Sequence, residues 1–222
     1  MKKNILVKSL LSLIFICGIF FANAQNQYDG EIAAFKKKEA AAPAPKNSIL
    51  FVGSSTFRKW TTMEADFPTY PIINRGFGGS TFPDVIHFAN DIIIPYQPKQ
   101  VLIYCGDNDL ASSDTVTPQV VLRRFKELFF IIRKGVPKAQ IDFVSIKPSP
   151  SRAKLMPRMV EANKLIRKFL KKKSNTKFIN TYDAMLSKDG QPVPDIFIED
   201  KLHMNAKGYA IWQKIIEPYL LK

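Results

Sequence analysis

At 222 residues, 46% hydrophobic and 12% aromatic, the chain has the size and composition of one well-packed globular domain. Its formal charge of +14 suits acidic glycans, anionic membrane surfaces or nucleic acid. The sequence holds no zinc-ligand cluster, no P-loop and no RNA-binding signature, which sets nucleic acid aside as a partner.

The chain opens on Met1-Lys2-Lys3, extended by Lys8, then an apolar run from Leu10 to Phe21 and the small-x-small triplet Ala22-Asn23-Ala24. Residues 1–24 therefore read as a cleavable secretory signal peptide, and the mature protein is expected in the periplasm or outside the cell. The run is too short for a comfortable membrane anchor. Cys17 lies inside it behind the bulky Ile14-Phe15-Ile16, which does not fit a lipoprotein attachment site. The leader takes three lysines and no acid with it, so 30 basic residues face 19 acidic ones and the mature charge is about +11. Cys105 is then the single cysteine and can form no internal disulfide. It ends an apolar strand pattern and reads as a buried small hydrophobe.

Residues 25–47 read as an N-terminal arm, in which "EIAAFKKKEAA" can form a short amphipathic helix and "APAPK" breaks it. From residue 48 strands and helices alternate. "SILFVG" (48–53), "PIINRG" (71–76), "QVLIYCG" (100–106), "QIDFVSI" (140–146) and "TKFINTY" (176–182) have run-together apolar residues, the pattern of parallel strands covered on both faces. Thr117-Pro118 starts a helix carrying Val121, Phe125, Leu128 and Ile132, and Gly135 closes it. A second helix carries Met159, Ala162, Ile166 and Phe169, and "KFLKKK" (168–173) puts cations at its C-terminus. The last helix begins near Asn205 and is expected to bury Tyr209, Trp212, Ile216 and Tyr219. The predicted architecture is an α/β three-layer sandwich over residues 48–222, with a five-stranded parallel sheet. Such folds bind ligands beyond the carboxyl ends of their strands.

The polar stretches fall at that edge. They are Gly53-Ser54-Ser55 after the first strand, "NRGFGGST" (74–81) after the second, "CGDND" (105–109) after the third, and "DKLHMN" (200–205) before the last helix. A serine hydroxyl needs a base to act as a nucleophile, and the chain has two histidines. His87 sits in a helix-like run, as a packed or surface residue would. His203 has Asp200 three residues before it, close enough in a tight turn to fix its tautomer; a solvated Asp–His pair or two metal ligands lacking their partners would use the same residues. Gly78-Gly79 can bring backbone N–H groups close to a ligand, and Asn108 offers a neutral amide donor; a plain turn and an Asx-turn would use the same residues.

In this order the four stretches resemble the four blocks of the SGNH hydrolase (GDSL esterase/lipase) superfamily, over about residues 48–222. The likeness is nearest to exported bacterial members similar to the platelet-activating-factor acetylhydrolase type. It implies a flavodoxin-like fold, with Ser55 as nucleophile, His203 as base and Asp200 orienting it. It further implies an oxyanion hole from the Ser55 and Gly79 N–H groups and the Asn108 amide. No cofactor and no metal is required. Two positions depart from the family pattern: Ser54 replaces the usual aspartate, and Lys201 stands where glycine is frequent. No G-x-S-x-G elbow occurs, which separates the chain from the α/β-hydrolases.

The resemblance implies an exported serine esterase acting on a small-molecule or glycan ester. A short acyl group on carbohydrate is expected, with Arg75 and Lys201 near the site edge suiting hydroxylated or acidic groups. The alternatives are a lipase or lysophospholipase-type acylhydrolase, and a non-catalytic envelope glycan-binding protein on the same fold. The positive charge also allows loose contact with anionic envelope surfaces.

Overall fold

The computed structural model describes residues 26–222, and the predicted signal peptide lies outside them. Five strands, β1 (Ile49–Gly53), β2 (Ile72–Gly76), β3 (Gln100–Tyr104), β4 (Gln140–Val144) and β5 (Thr176–Ile179), form one sheet in the order β2-β1-β3-β4-β5. Every pairing is parallel, with Ile49 opposite both Ile72 and Gln100. Each strand is a residue or more shorter than its apolar pattern: β1 and β2 lose their first residue, and β3, β4 and β5 end two or three residues early.

The helices are α1 (Asp29–Ala41), α2 (Ser55–Arg58), α3 (Met63–Asp66), α4 (Phe82–His87), α5 (Ala89–Ile92), α6 (Asp107–Ser112), α7 (Pro118–Gly135), α8 (Met156–Leu170) and α9 (Ala206–Ile216). One face of the sheet buries Leu50, Val52, Val101, Ile103 and Phe143 against Phe82, Phe125, Leu128, Ile132, Met159 and Ile166. The other buries Phe51, Leu102 and Tyr104 against Phe57, Trp60, Tyr209, Trp212 and Ile216. Alternate residues of each strand thus serve opposite cores, as a sheet covered on both sides requires. α7 starts as the sequence predicts: the Thr117 hydroxyl accepts the Val120 N–H, and Pro118 occupies the first turn. Tyr219 differs from expectation. It lies in a 3-10 turn beyond α9 and is only half-buried.

The arm is part of the packing. Tyr28 and Ile32 enter the larger core, and the Tyr28 ring meets Phe77 edge-on at 5.1 Å. Arg75 is 4% exposed, which corrects the expectation that it edges the site. Its guanidinium donates to the Tyr96 hydroxyl at 2.8 Å and pairs with Glu39 of α1 at 3.3 Å, pinning the arm to β2.

The sheet order reverses direction between β1 and β3. In doubly wound folds the crevice at that switch point, beyond the carboxyl ends, is where ligands sit. The segments carrying Ser55 and Asn108 leave these two strands. No helix among the described residues is long and apolar enough to cross a membrane.

Candidate active site

β1 ends at Gly53, whose φ of 136° is open only to glycine, and a Cβ there would lie 1.9 Å from the Tyr104 carbonyl oxygen. The chain then turns through Ser54 and starts α2 at Ser55. As the first helical residue, Ser55 has no intrahelical acceptor for its N–H, which meets no other acceptor among the described residues. Its Oγ lies 2.8 Å from His203 Nε2. His203 Nδ1 lies 2.5 Å from Asp200 Oδ2, and Asp200 Oδ1 accepts the Leu202 and His203 N–H groups at 2.9 Å each. Partial burial works against the Asp200 charge, but the bonds from the His203 ring and the two N–H groups outweigh it and hold the carboxyl at about 2. An ionised Asp200 can only accept, so Nδ1 carries the His203 proton and Nε2 is left to accept from Ser55.

The turn around His203 is made locally. Asn205 caps α9 by accepting the Lys207 and Gly208 N–H groups, and the Ile198 N–H donates to the His203 carbonyl at 2.9 Å. Lys201 has φ of 54°, the left-handed region, so the backbone itself explains a preference for glycine at this position.

Gly79 lies on the loop after β2. Its N–H meets no acceptor among the described residues, and a Cβ on it would stand 3.7 Å from Asn108 Nδ2. Asn108, at the start of α6, donates through Nδ2 to Ser54 Oγ at 2.8 Å and to the Ser80 carbonyl at 3.1 Å. The two adjacent serines are therefore divided. Ser54, 1% exposed, faces the Asn108 amide, and Ser55, partly exposed, faces His203. Asp109 anchors the same loop: it accepts the Phe82 N–H at 3.0 Å and pairs with Arg124 at 2.7 Å. Burial, with Asp109 and Asp107 nearby, pushes the Cys105 thiol well above its ordinary value, so this cysteine is an inert core residue. His87 is exposed on α4 and packs edge-on against Phe88, and among the described residues no hydrogen bond joins it to Ser55, His203 or Asp200.

Sequence reasoning missed the segment after β4. Lys147 is 1% exposed and donates to the Leu202 carbonyl at 2.6 Å. The Ser151 N–H donates to the Lys201 carbonyl at 3.0 Å. Arg152 donates to Asn108 Oδ1 at 2.7 Å and pairs with Asp107 at 3.0 Å. The signal was present, since "KPSPSR" leaves the carboxyl end of a central strand as the other polar stretches do. Among the described residues no cluster of three or more His, Cys, Asp or Glu side chains is placed to hold a metal ion.

A hydroxyl, an imidazole and a carboxylate in one hydrogen-bonded line, beside free backbone donors, are equipped for acyl transfer. The model of the GDSL-like lipase/acylhydrolase family matches residues 47–211. The chain belongs to this family. The match begins just before β1 and runs into α9, so this ester-hydrolase domain includes all four stretches. Solved structures agree on the fold. A Streptococcus pneumoniae protein named for platelet activating factor is 18% identical, with TM-score 0.75 over 86% of this chain and 92% of its own. A GDSL-like lipase from Bacteroides thetaiotaomicron is 20% identical, with TM-score 0.71 over 85% and 96%. A catalytic mutant of an acetylxylan esterase from Geobacillus stearothermophilus is 16% identical, with TM-score 0.63 over 79% and 95%. No curated protein compared by sequence matches this chain.

Proposed function

We propose that this GDSL-family hydrolase is an exported serine esterase that removes short acyl groups, acetyl foremost, from carbohydrate. The observation that carries the mechanism is the line Ser55 Oγ, His203 Nε2, His203 Nδ1, Asp200 Oδ2, closed by contacts of 2.8 Å and 2.5 Å.

Ser55 Oγ attacks the ester carbonyl carbon while its proton passes to His203 Nε2. The carbonyl π electrons move onto oxygen, and the Ser55 N–H, the Gly79 N–H and Asn108 Nδ2 stabilise that charge. The amide proton that Asn108 gives to Ser54 Oγ is the one redirected to the oxyanion. The tetrahedral adduct collapses, the bond to the leaving alcohol breaks, and His203 returns the proton to that oxygen. Water then adds to the acyl-enzyme by the same route, releasing the acid and free Ser55. Asp200 stays ionised throughout and stabilises the imidazolium.

The short-acyl, carbohydrate reading draws on the groove beside Arg152. This cavity of about 630 Å³ is lined by Ser113, Asp114, Ser151, Arg152 and Lys154, with Leu110 and Leu155 as its larger apolar residues. Its charged and hydroxyl side chains can meet sugar hydroxyls, and Leu110, Leu155 and Pro150 offer apolar faces to a sugar ring and a short acyl group. The acetylxylan esterase among the fold neighbours agrees with this reading. Export draws on the leader-like residues 1–24. The test is kcat/KM for acetyl through palmitoyl aryl esters, with acetate release from acetylated xylan and peptidoglycan. Activity should peak at the shortest acyl groups. Each buried methylene adds about 0.8 kcal/mol of binding, so a lipase would favour long chains steeply. A maximum at octanoyl or beyond, with no acetate from either glycan, overturns the substrate assignment.

A further inference from the structure

We propose that the segment Lys147–Arg152 braces the catalytic centre: Arg152 sets the orientation of the Asn108 amide, and Lys147 holds the Leu202 carbonyl of the turn that presents His203. The inference rests on the esterase reading above and concerns how these residues position Asn108 and His203.

The geometry of Arg152 is specific. A guanidinium only donates, so the atom of Asn108 that faces it must be the oxygen. The bond to Oδ1, 2.7 Å, therefore fixes which way the amide points and leaves Nδ2 on the side of Ser54 and Ser80. Without it the amide can rotate and present its oxygen to a developing negative charge, which reverses its effect. The guanidinium charge facing Oδ1 also polarises the amide and strengthens Nδ2 as a donor. The ion pair with Asp107 at 3.0 Å anchors Arg152 to the residue just before Asn108, and only 16% of the Arg152 side chain is exposed. One guanidinium thus reaches two consecutive residues: Nη2 hydrogen-bonds the Asn108 oxygen, while Nη1 pairs with Asp107 by charge proximity without meeting hydrogen-bond geometry.

Lys147 acts on the other half of the site. A lysine at 1% exposure is costly, and its ammonium donates to the Leu202 carbonyl at 2.6 Å rather than to a carboxylate. Leu202 directly precedes His203. The Ser151 N–H holds the adjoining Lys201 carbonyl, so two successive carbonyls of the turn are tied to one segment. β4 carries this segment between the β3 loop, which bears Asn108, and the turn, which bears His203. Spacing between oxyanion donor and base is thereby set by one segment, the stretch after β4 that runs through Lys147 into the 3-10 turn Pro150–Leu155. Catalysis is sensitive to such spacing, since displacement by about 1 Å can cost about 100-fold.

The experiment compares Arg152→Met, Arg152→Lys and Lys147→Met with the wild type and Ser55→Ala on an aryl acetate, reading kcat, KM and thermal melting. The brace predicts that both Arg152 variants lose kcat by about 10- to 100-fold with KM within a few-fold, because the lost interaction matters when charge develops on oxygen. Millimolar methylguanidinium should restore part of the kcat of Arg152→Met. Lys147→Met should lower kcat while keeping or raising the melting temperature. A purely structural role predicts lower melting temperatures, unchanged kcat for the folded fraction and no rescue. If Arg152→Met does not fold, Arg152→Lys decides: wild-type kcat there overturns the Arg152 assignment. Wild-type kcat in Lys147→Met overturns the Lys147 assignment. Full activity in Ser55→Ala defeats the underlying esterase reading instead, which keeps the two failures apart.

Discussion

Replacing Lys147 with methionine should change the pH dependence of stability in a defined window. Burial is the dominant influence on this ammonium and lowers its pKa; Asp107 raises it, Arg152 lowers it and Asp200 raises it, for a result of about 8 against the ordinary 10.5. At 1.36 kcal/mol per pH unit, that gap corresponds to roughly 3 kcal/mol. The sign follows from proton binding. Below about pH 8 Lys147 is charged in both folded and unfolded chains, and the full burial cost weakens the fold. Between about 8 and 10.5 the unfolded chain holds the proton and the folded chain does not, so stability rises with pH until the cost has gone. Other titrating groups largely cancel in the difference between wild type and Lys147→Met. Urea unfolding of both proteins, from about pH 6 to about pH 10.5, should show the wild type gaining roughly 3 kcal/mol on the variant. Loss of the bond to Leu202 adds a constant of about 1 kcal/mol and no slope. A difference that stays flat across this range refutes the claim that Lys147 is buried as a strained cation.

Asn108→Ala should reduce kcat by about 10²–10³-fold with little change in KM, the range for one positioned oxyanion donor; near-wild-type kcat removes Asn108 from that role. His203→Ala should cost more than Asp200→Asn, because His203 moves the proton and Asp200 orients it; steady-state kinetics on one ester gives the ranking, and the reverse order contradicts it. Gly78→Ala should displace the arm, since φ is 35° and the new Cβ would stand 2.1 Å from the Tyr28 ring. Faster limited proteolysis within residues 26–45 would report the displacement, and unchanged cleavage would contradict it. The mature protein from an exporting host should begin at Gln25 by mass spectrometry, and an intact Met1 in the exported fraction would contradict cleavage at Ala24.

The sheet was legible because its strands are buried on both faces. Continuous apolar runs such as Ile49–Val52 and Val101–Ile103 leave no other arrangement in a chain that alternates strand and helix. Asp200 and His203 were legible because three residues fix their separation within one turn. The choice of Ser55 over Ser54 came from the family frame and not from the residues themselves, since it depends physically on which hydroxyl lies inside the β1 turn and which starts α2. Arg75 misled because a charge beside a glycine-rich loop looks like a ligand contact, whereas Glu39 and Tyr96, remote in sequence, enclose it. The position of "KPSPSR" beyond β4 was a signal, but the partners of Lys147 and Arg152, a backbone carbonyl and an amide oxygen more than 40 residues away, are not readable from it.

The central claim is that Ser55 is the nucleophile, with Ser54 beside it serving Asn108. Intact-mass labelling with a serine-reactive phosphonate tests it most directly, comparing wild type, Ser55→Ala and Ser54→Ala, with peptide mapping of the adduct. The account predicts one adduct on the wild type at Ser55, an adduct retained in Ser54→Ala, and none in Ser55→Ala. Labelling that persists in Ser55→Ala and disappears in Ser54→Ala would contradict it.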